Sequence, residues 1–200
     1  MGTRSDIIVH RKDGKWARIY CHWDGYLEHN GRILFDHYTS QDKIEALVAL
    51  GDLSSLGPEI GVKRPFEFGG KMFTKNNKFS AAYTAFKKKY EGMCLAYGRD
   101  RGETDSAARV FDTVQEAWPE EGGWTEFTYV WHDDGNGPRW WVTSPDEGTQ
   151  TLVDLGQALL GEVSIRCPVK VFGDVIGQHA PTKPGKEHGW SSGKTEEAKT

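Results

Sequence analysis

The chain opens on a run in which apolar and polar positions alternate. "SDIIVHR" (5–11), "KDG" (12–14) and "KWARIYCHW" (15–23) predict a β-hairpin, with Asp13-Gly14 as a two-residue turn between β-prone segments. In its second strand Ala17, Ile19, Cys21 and Trp23 share one face. Arg18, Tyr20, His22 and Asp24 share the other, so polar groups are carried toward the strand's end. The period then changes. "RILFDHY" (32–38) predicts a short helix with Ile33, Leu34, His37 and Tyr38 turned inward. A second helix is expected from Thr39, which with Asp42 has capping-box spacing. Ile44, Leu47 and Val48 form its stripe, and Gly51 follows as its left-handed end. "DLSSLGPEIG" (52–61) is expected to be loop.

Further along, "MCLAYGR" (93–99) predicts a buried strand. Val110, Phe111, Val114, Ala117 and Trp118 predict a helix stopped by Pro119. "WTEFTYVWHDDGNGPRWWVTS" (124–144) is the clearest hairpin, with Phe127, Tyr129 and Trp131 alternating before a Gly- and Asp-rich turn. "TLVDLGQALLG" (151–161) predicts a helix capped by Thr151. "VSIRCPVKVF" (163–172) predicts an edge strand, because Pro168 cannot donate to a ladder. From Gly177 the chain turns Gly-, Pro-, Ser- and Lys-rich. The expected fold is α+β: a mainly antiparallel sheet of five or six strands with three or four helices on one face and a disordered C-terminal tail. The expected organisation is one domain over 1–176, with 63–90 as a basic aromatic insertion, and the tail over 177–200.

Composition narrows the class. No apolar run is long enough to cross a membrane, and the apolar stretch near the N-terminus is too short for a secretory signal. Cys21, Cys94 and Cys167 are odd in number and lack pairwise spacing, which favours a reducing, cytoplasmic setting over a disulfide framework. The overall charge of -4 hides a split. Residues 63–90 hold eight Lys and Arg against Glu67, a net +7, and residues 100–154 hold thirteen acids against three Arg, a net -10. Phe66, Phe68, Phe73, Phe79, Tyr83, Phe86 and Tyr90 interleave with the lysines, a composition that fits single-stranded nucleic acid. The favoured reading is a core that the lysines coat, because the negative total charge weighs against general nucleic-acid affinity.

Two loop segments carry the densest chemistry. "YCHWDGYLEHNG" (20–31) holds a thiol, imidazoles, carboxylates and aromatic rings, and "YGRDRGE" (97–103) alternates Arg with acids. Each follows an expected strand, where loops commonly carry function. If the strands are neighbours, His22, Trp23, Asp24 and Tyr26 face Arg99, Asp100, Arg101 and Glu103 across one cleft. Its arginines would grip an anion bidentately. The competing possibility is an ion-pair network in which "RDR" satisfies itself. A metal site is not expected: Cys21 and His22 are adjacent and point to opposite strand faces, and no Cys-x-x-Cys or His-x-x-x-His occurs. "GWSSGKT" (189–195) imitates the end of a P-loop but has His188 where the pattern needs Gly. No cofactor is implied.

The segments "IYCHWDGYLEHNGRIL…HY", "EALVALGDLSSLG", "AYGRDRGE" and "FTYVWHDDGNGPRWWV" resemble a family of small uncharacterised bacteriophage and prophage accessory proteins. The resemblance spans roughly residues 1–145, and Leu27 stands where the family commonly has Pro. It implies a non-enzymatic accessory protein in the host cytoplasm, a class that includes inhibitors of antiviral defence. Its partner would be a small anionic ligand or a host defence protein. Two alternatives stay open: a hydrolase of nucleotide-like phosphoesters with His22 as base, and an acidic nucleic-acid mimic that inhibits a nuclease.

Overall fold

The structure is a computed structural model that describes residues 2–119, 124–143 and 152–161. Strands β1 (Ser5–His10) and β2 (Trp16–Cys21) form the first hairpin, with Ile7 opposite Ile19. Its turn is longer than the expected two residues. The Arg11 N–H donates to the Lys15 carbonyl at 2.8 Å and Gly14 takes φ +80°, so the loop closes through a left-handed glycine. The remaining strands are β3 (Leu53–Ser55), β4 (Leu95–Ala96), β5 (Arg109–Phe111), β6 (Phe127–Asp133), β7 (Pro138–Thr143) and β8 (Val153–Asp154). The helices are α1 (Arg32–His37), α2 (Gln41–Val48), α3 (Ala81–Lys89), α4 (Val114–Ala117) and α5 (Leu155–Leu160), with π-helical turns at Leu27–Gly31 and Tyr97–Arg101.

Among the described residues the strands make one sheet in the order β4-β3-β2-β1-β6-β7-β8, and β5 pairs with the other end of β2's outer edge. The sheet is mixed. β1 runs parallel to β6, and β2 runs parallel to β3 where Cys21 meets Leu53. The other five pairings are antiparallel, so the sheet is mainly antiparallel as expected, but it has eight strands where five or six were expected. Ile7, Ile8 and Val9 are all buried, the mark of a central strand covered on both sides. The unexpected strands β3, β5 and β8 have two or three residues each, too few for alternation to announce them, and the strand expected at 93–99 is shortened to Leu95–Ala96 by the turn at Tyr97–Arg101.

Helices also cover both faces instead of one. Against the first face, α1, α2 and α5 close a core of Ile7, Val9, Ile19, Leu34, Tyr38, Ile44, Leu47, Tyr129, Trp131, Trp140 and Leu155. Full burial of one such aliphatic side chain contributes roughly 1.5–3 kcal/mol. The polar tips of its aromatics are satisfied: Tyr38 Oη donates to the Gly57 carbonyl and Trp140 Nε1 to the Tyr38 carbonyl, each at 2.7 Å. His37, expected inward, is exposed. On the second face α4 covers Ile8, Trp16, Val130 and Trp141.

Several local expectations shift. Ser40, not Thr39, caps α2. Val110 and Phe111 belong to β5, and the helix after them starts only at a capping box between Thr113 and Glu116. Asp154, not Thr151, caps α5, its carboxylate accepting from the Gln157 N–H at 3.1 Å. The expected edge strand 163–172, the Gly189–Thr195 run, the tail 177–200 and Thr151 lie outside the described residues. Among the described residues no helix is long and apolar enough to cross a membrane.

Candidate functional site

The loop after β2 is fixed by the sheet it leaves. The His22 and Trp23 N–H groups donate to the Leu53 and Ser54 carbonyls at 3.0 and 3.1 Å, extending the parallel pairing beyond Cys21. Asp24 then takes φ +57°, a left-handed conformation. At Gly25 a Cβ would lie 2.7 Å from the Arg4 carbonyl carbon, so only glycine lets the N-terminal segment pass. Buried Asn30 ties the loop down through Ser5 Oγ at 3.2 Å and the Trp23 carbonyl at 3.3 Å. Trp23 and Tyr26 stay substantially exposed. Strand alternation separates Cys21 from His22 as expected. Cys21 is buried in the core, and burial pushes its thiol up to about 12. The His22 ring leaves on the other face and meets Tyr20 Oη at 2.8 Å.

The loop after β4 is consumed by its own surroundings. Arg99 forks onto Asp100 through Nε at 2.9 Å and Nη2 at 2.8 Å. It also donates to the carbonyls of Cys94 at 2.6 Å and Ile60 at 2.7 Å. The Asp100 carboxylate accepts two backbone N–H groups besides, Ala96 at 2.8 Å and Arg64 at 2.9 Å. Burial pulls the Asp100 carboxyl upward, but Arg99 and these N–H donors outweigh it and hold the group below its usual value. Arg101 pairs with Glu103 at 3.2 Å and lies over the Phe66 ring.

The expected shared cleft is therefore corrected. β3 stands between β2 and β4, so the two loops leave the sheet one strand apart. His22 lines one hollow, whereas Arg99 and Glu103 line another of about 450 Å³, and the two have no lining residue in common. Arg99 and Asp100 clasp segments 60–64 and 94–100 together. Among the described residues, several acids of 100–154 are likewise engaged within the fold: Asp112 pairs with Lys15, Asp134 and Asp154 pair with Arg139, and Glu116 closes its capping box.

The hollow beside His22 is the better-built site. It is an open hollow of about 560 Å³, lined by Arg4, Asp6, Arg18, Tyr20, Asp52, Arg109, Pro119, Trp124 and Thr125 as well as His22. Strand register builds it. Asp6 lies opposite Tyr20, and Arg18 lies opposite Arg109, which places two guanidinium-bearing side chains on the same face with Cβ atoms about 5 Å apart. Like charges set opposite each other are destabilising unless something offsets them. Partial offsets exist: Arg109 Nη2 reaches Asp52 at 3.3 Å, and Arg18 Nη1 donates to the Ala117 carbonyl at 3.0 Å. Arg4 crosses from the N-terminal segment with its guanidinium over Trp124. Burial raises the Asp6 carboxyl, opposed by a hydrogen bond with Thr125 and by Arg18 and Arg109. Burial also raises Asp52, opposed by the Tyr20 N–H and Arg109. The arrangement brings three guanidinium groups around one hollow, with Asp52 paired to Arg109.

Of the residues singled out by sequence, His22 alone lines this hollow. Trp23 adjoins it, its ring 4.7 Å from the imidazole. Asp24, Tyr26, Arg99, Asp100, Arg101 and Glu103 are not among its lining residues. The Arg18–Tyr20–His22 face was visible in the alternation of β2. Arg4, Asp6, Asp52 and Arg109 were missed, although Arg4 and Asp6 share a period of two at the entry to β1. Among the described residues no group of three or more His, Cys, Asp or Glu is arranged to hold a metal ion. No family model, curated protein or solved structure matches the chain.

Proposed function

We propose that this protein binds a small anionic molecule, one bearing a phosphate or carboxylate group, in the hollow of Arg4, Arg18 and Arg109. One observation carries the proposal: three arginines from separate segments converge on a single concavity of ligand size. A guanidinium presents a planar fork of donors that matches such an anion bidentately. Tyr20 and His22 supply further polar groups, and Trp124 forms an apolar wall. In this proposal the chain is an accessory protein of phage type, as its motifs imply. The ligand is a free small molecule or a charged group on a host protein.

Calorimetric titration of the full chain with inorganic phosphate, a nucleoside monophosphate and citrate tests the binding. Micromolar affinity for at least one anion is expected, with a loss of about tenfold or more in Arg109→Gln, the scale of one charge-assisted hydrogen bond. Arg139→Gln, at a separate ion pair, should bind as the parent does. No binding below about 1 mM, roughly -4 kcal/mol, would remove the proposal.

A second reading is favoured by the placement of His22, Asp6 and the three arginines around one hollow. It is hydrolysis of a nucleotide-like phosphoester. Water attacks phosphorus and gives its proton to His22, while Asp6 protonates the departing oxygen. The arginines hold the developing negative charge. Turnover of bis(p-nitrophenyl) phosphate that disappears in His22→Ala supports it, and absence of turnover by the parent protein rejects it.

A further inference from the structure

We infer that residues 63–90 form a second, independent binding surface whose partner is single-stranded nucleic acid. The observation is structural. No residue from 63 to 90 is buried, and α3 buries none of its side chains. The aromatics are therefore not a core coated by lysines. They contact one another in a chain of rings with centroids 5.1–5.3 Å apart: Phe73 stacks on Phe79, while Phe79–Tyr83 and Phe68–Phe86 are tilted and Tyr83–Phe68 and Phe86–Tyr90 meet edge to face. At the outer end Phe73 and Phe79 are about half exposed, 50% and 53%.

The backbone holds these rings in place instead of leaving them to collapse. Thr74 N–H donates to the Lys78 carbonyl at 2.8 Å, and Asn77 adopts a left-handed φ of +56° to turn the chain. Ser80 closes the tip by donating its hydroxyl to the Lys71 carbonyl at 2.7 Å and caps α3 by accepting from the Tyr83 N–H. Lys71, Lys75 and Lys78 are exposed and lie close to the pair along the chain, and Lys87 sits over Phe79. The surface thus joins a net charge of +7 to flat apolar faces. A polyanion whose own rings are unpaired complements both features, because bases stack on the aromatics while phosphates meet the lysines. A duplex hides its bases and offers only the charge.

The test uses the full chain and fluorescein-labelled oligo-dT of about twenty nucleotides, followed by fluorescence anisotropy across a salt series. Binding is expected to weaken steeply with salt. Phe73→Ala/Phe79→Ala should bind about tenfold more weakly with an unchanged salt slope, the loss of stacking without loss of charge. Lys71→Gln/Lys75→Gln/Lys78→Gln should reduce the slope by about 2. Both variants alter exposed positions, and circular dichroism checks that each retains the fold. The inference is overturned if the double aromatic variant binds like the parent. It is equally overturned if duplex DNA binds as tightly as the single strand, or if phosphatidylserine vesicles are bound and oligo-dT is not.

Discussion

Replacing Asp100 by Ala separates a structural clasp from a ligand site. The Asp100 side chain is fully buried, and its carboxylate accepts from two nitrogens of Arg99 and from the Ala96 and Arg64 N–H groups. Its removal leaves Arg99, itself only 17% exposed, without its counter-charge, and orphans two backbone donors. Breaking a buried ion pair costs roughly 3–5 kcal/mol, and the partial exposure of Arg99 places the expected loss at about 3 kcal/mol. For a chain of this length that lowers the melting temperature by about 6–12 °C. Glu103→Ala, at an exposed pair, should change it by about 2 °C or less. The pH dependence has a definite sign. The folded carboxyl lies below its unfolded value because Arg99 and the N–H donors outweigh burial. Its stabilisation is thus complete above the unfolded value near ~4 and is lost as pH falls through the folded value. Thermal melts by circular dichroism at pH 7 and pH 3 should show a wide gap between parent and Asp100→Ala that narrows in acid. A variant that melts within about 2 °C of the parent at pH 7 would refute the clasp and return Arg99 to the list of groups free for a ligand.

Two further outcomes follow from the geometry. Asp6→Asn should raise the melting temperature at pH 7, because burial lifts the native carboxyl above its unfolded value and the charged form is disfavoured in the fold. The gain should vanish below the ordinary carboxyl range, and a destabilised variant would mean that Arg18 and Arg109 depend on the Asp6 charge. Gly51→Ala should lose about 2 kcal/mol or more by urea denaturation, since Gly51 has φ +72° and an added Cβ would lie 2.1 Å from the Ser106 carbonyl oxygen. An unchanged midpoint there would show that the 104–108 segment yields without penalty.

How much was legible depends on where the information sits. Both hairpins were readable because period-two alternation is local, and Phe127, Tyr129 and Trp131 do not need to know their partners to face one side. The pairing of β1 with β6 was not, because alternation names a face and never a neighbour. Val110 and Phe111 fit a helical stripe by spacing, but Thr113 and Glu116 marked the helix start three positions later, a signal present in the sequence and outweighed by the apolar pattern. The loop chemistry pointed to Arg99 and Arg101, whose partners proved to be Asp100, backbone carbonyls and Glu103. The arginines that do share a hollow with His22 come from the N-terminal segment, β2 and β5. Only register brings Arg18 beside Arg109, and register is a property of the whole sheet.

The pairing of Ser5 with Phe127 gives the central strand a waiting time during synthesis. The first hairpin leaves the ribosome with Ile7, Ile8 and Val9 complete, yet the edge they cover stays open until most of the chain has been translated. A nascent or truncated product ending before β6 carries an apolar, unpaired strand edge suited to joining another chain. Protein that contains the first hairpin but ends ahead of residue 127 therefore exposes an edge prone to aggregation.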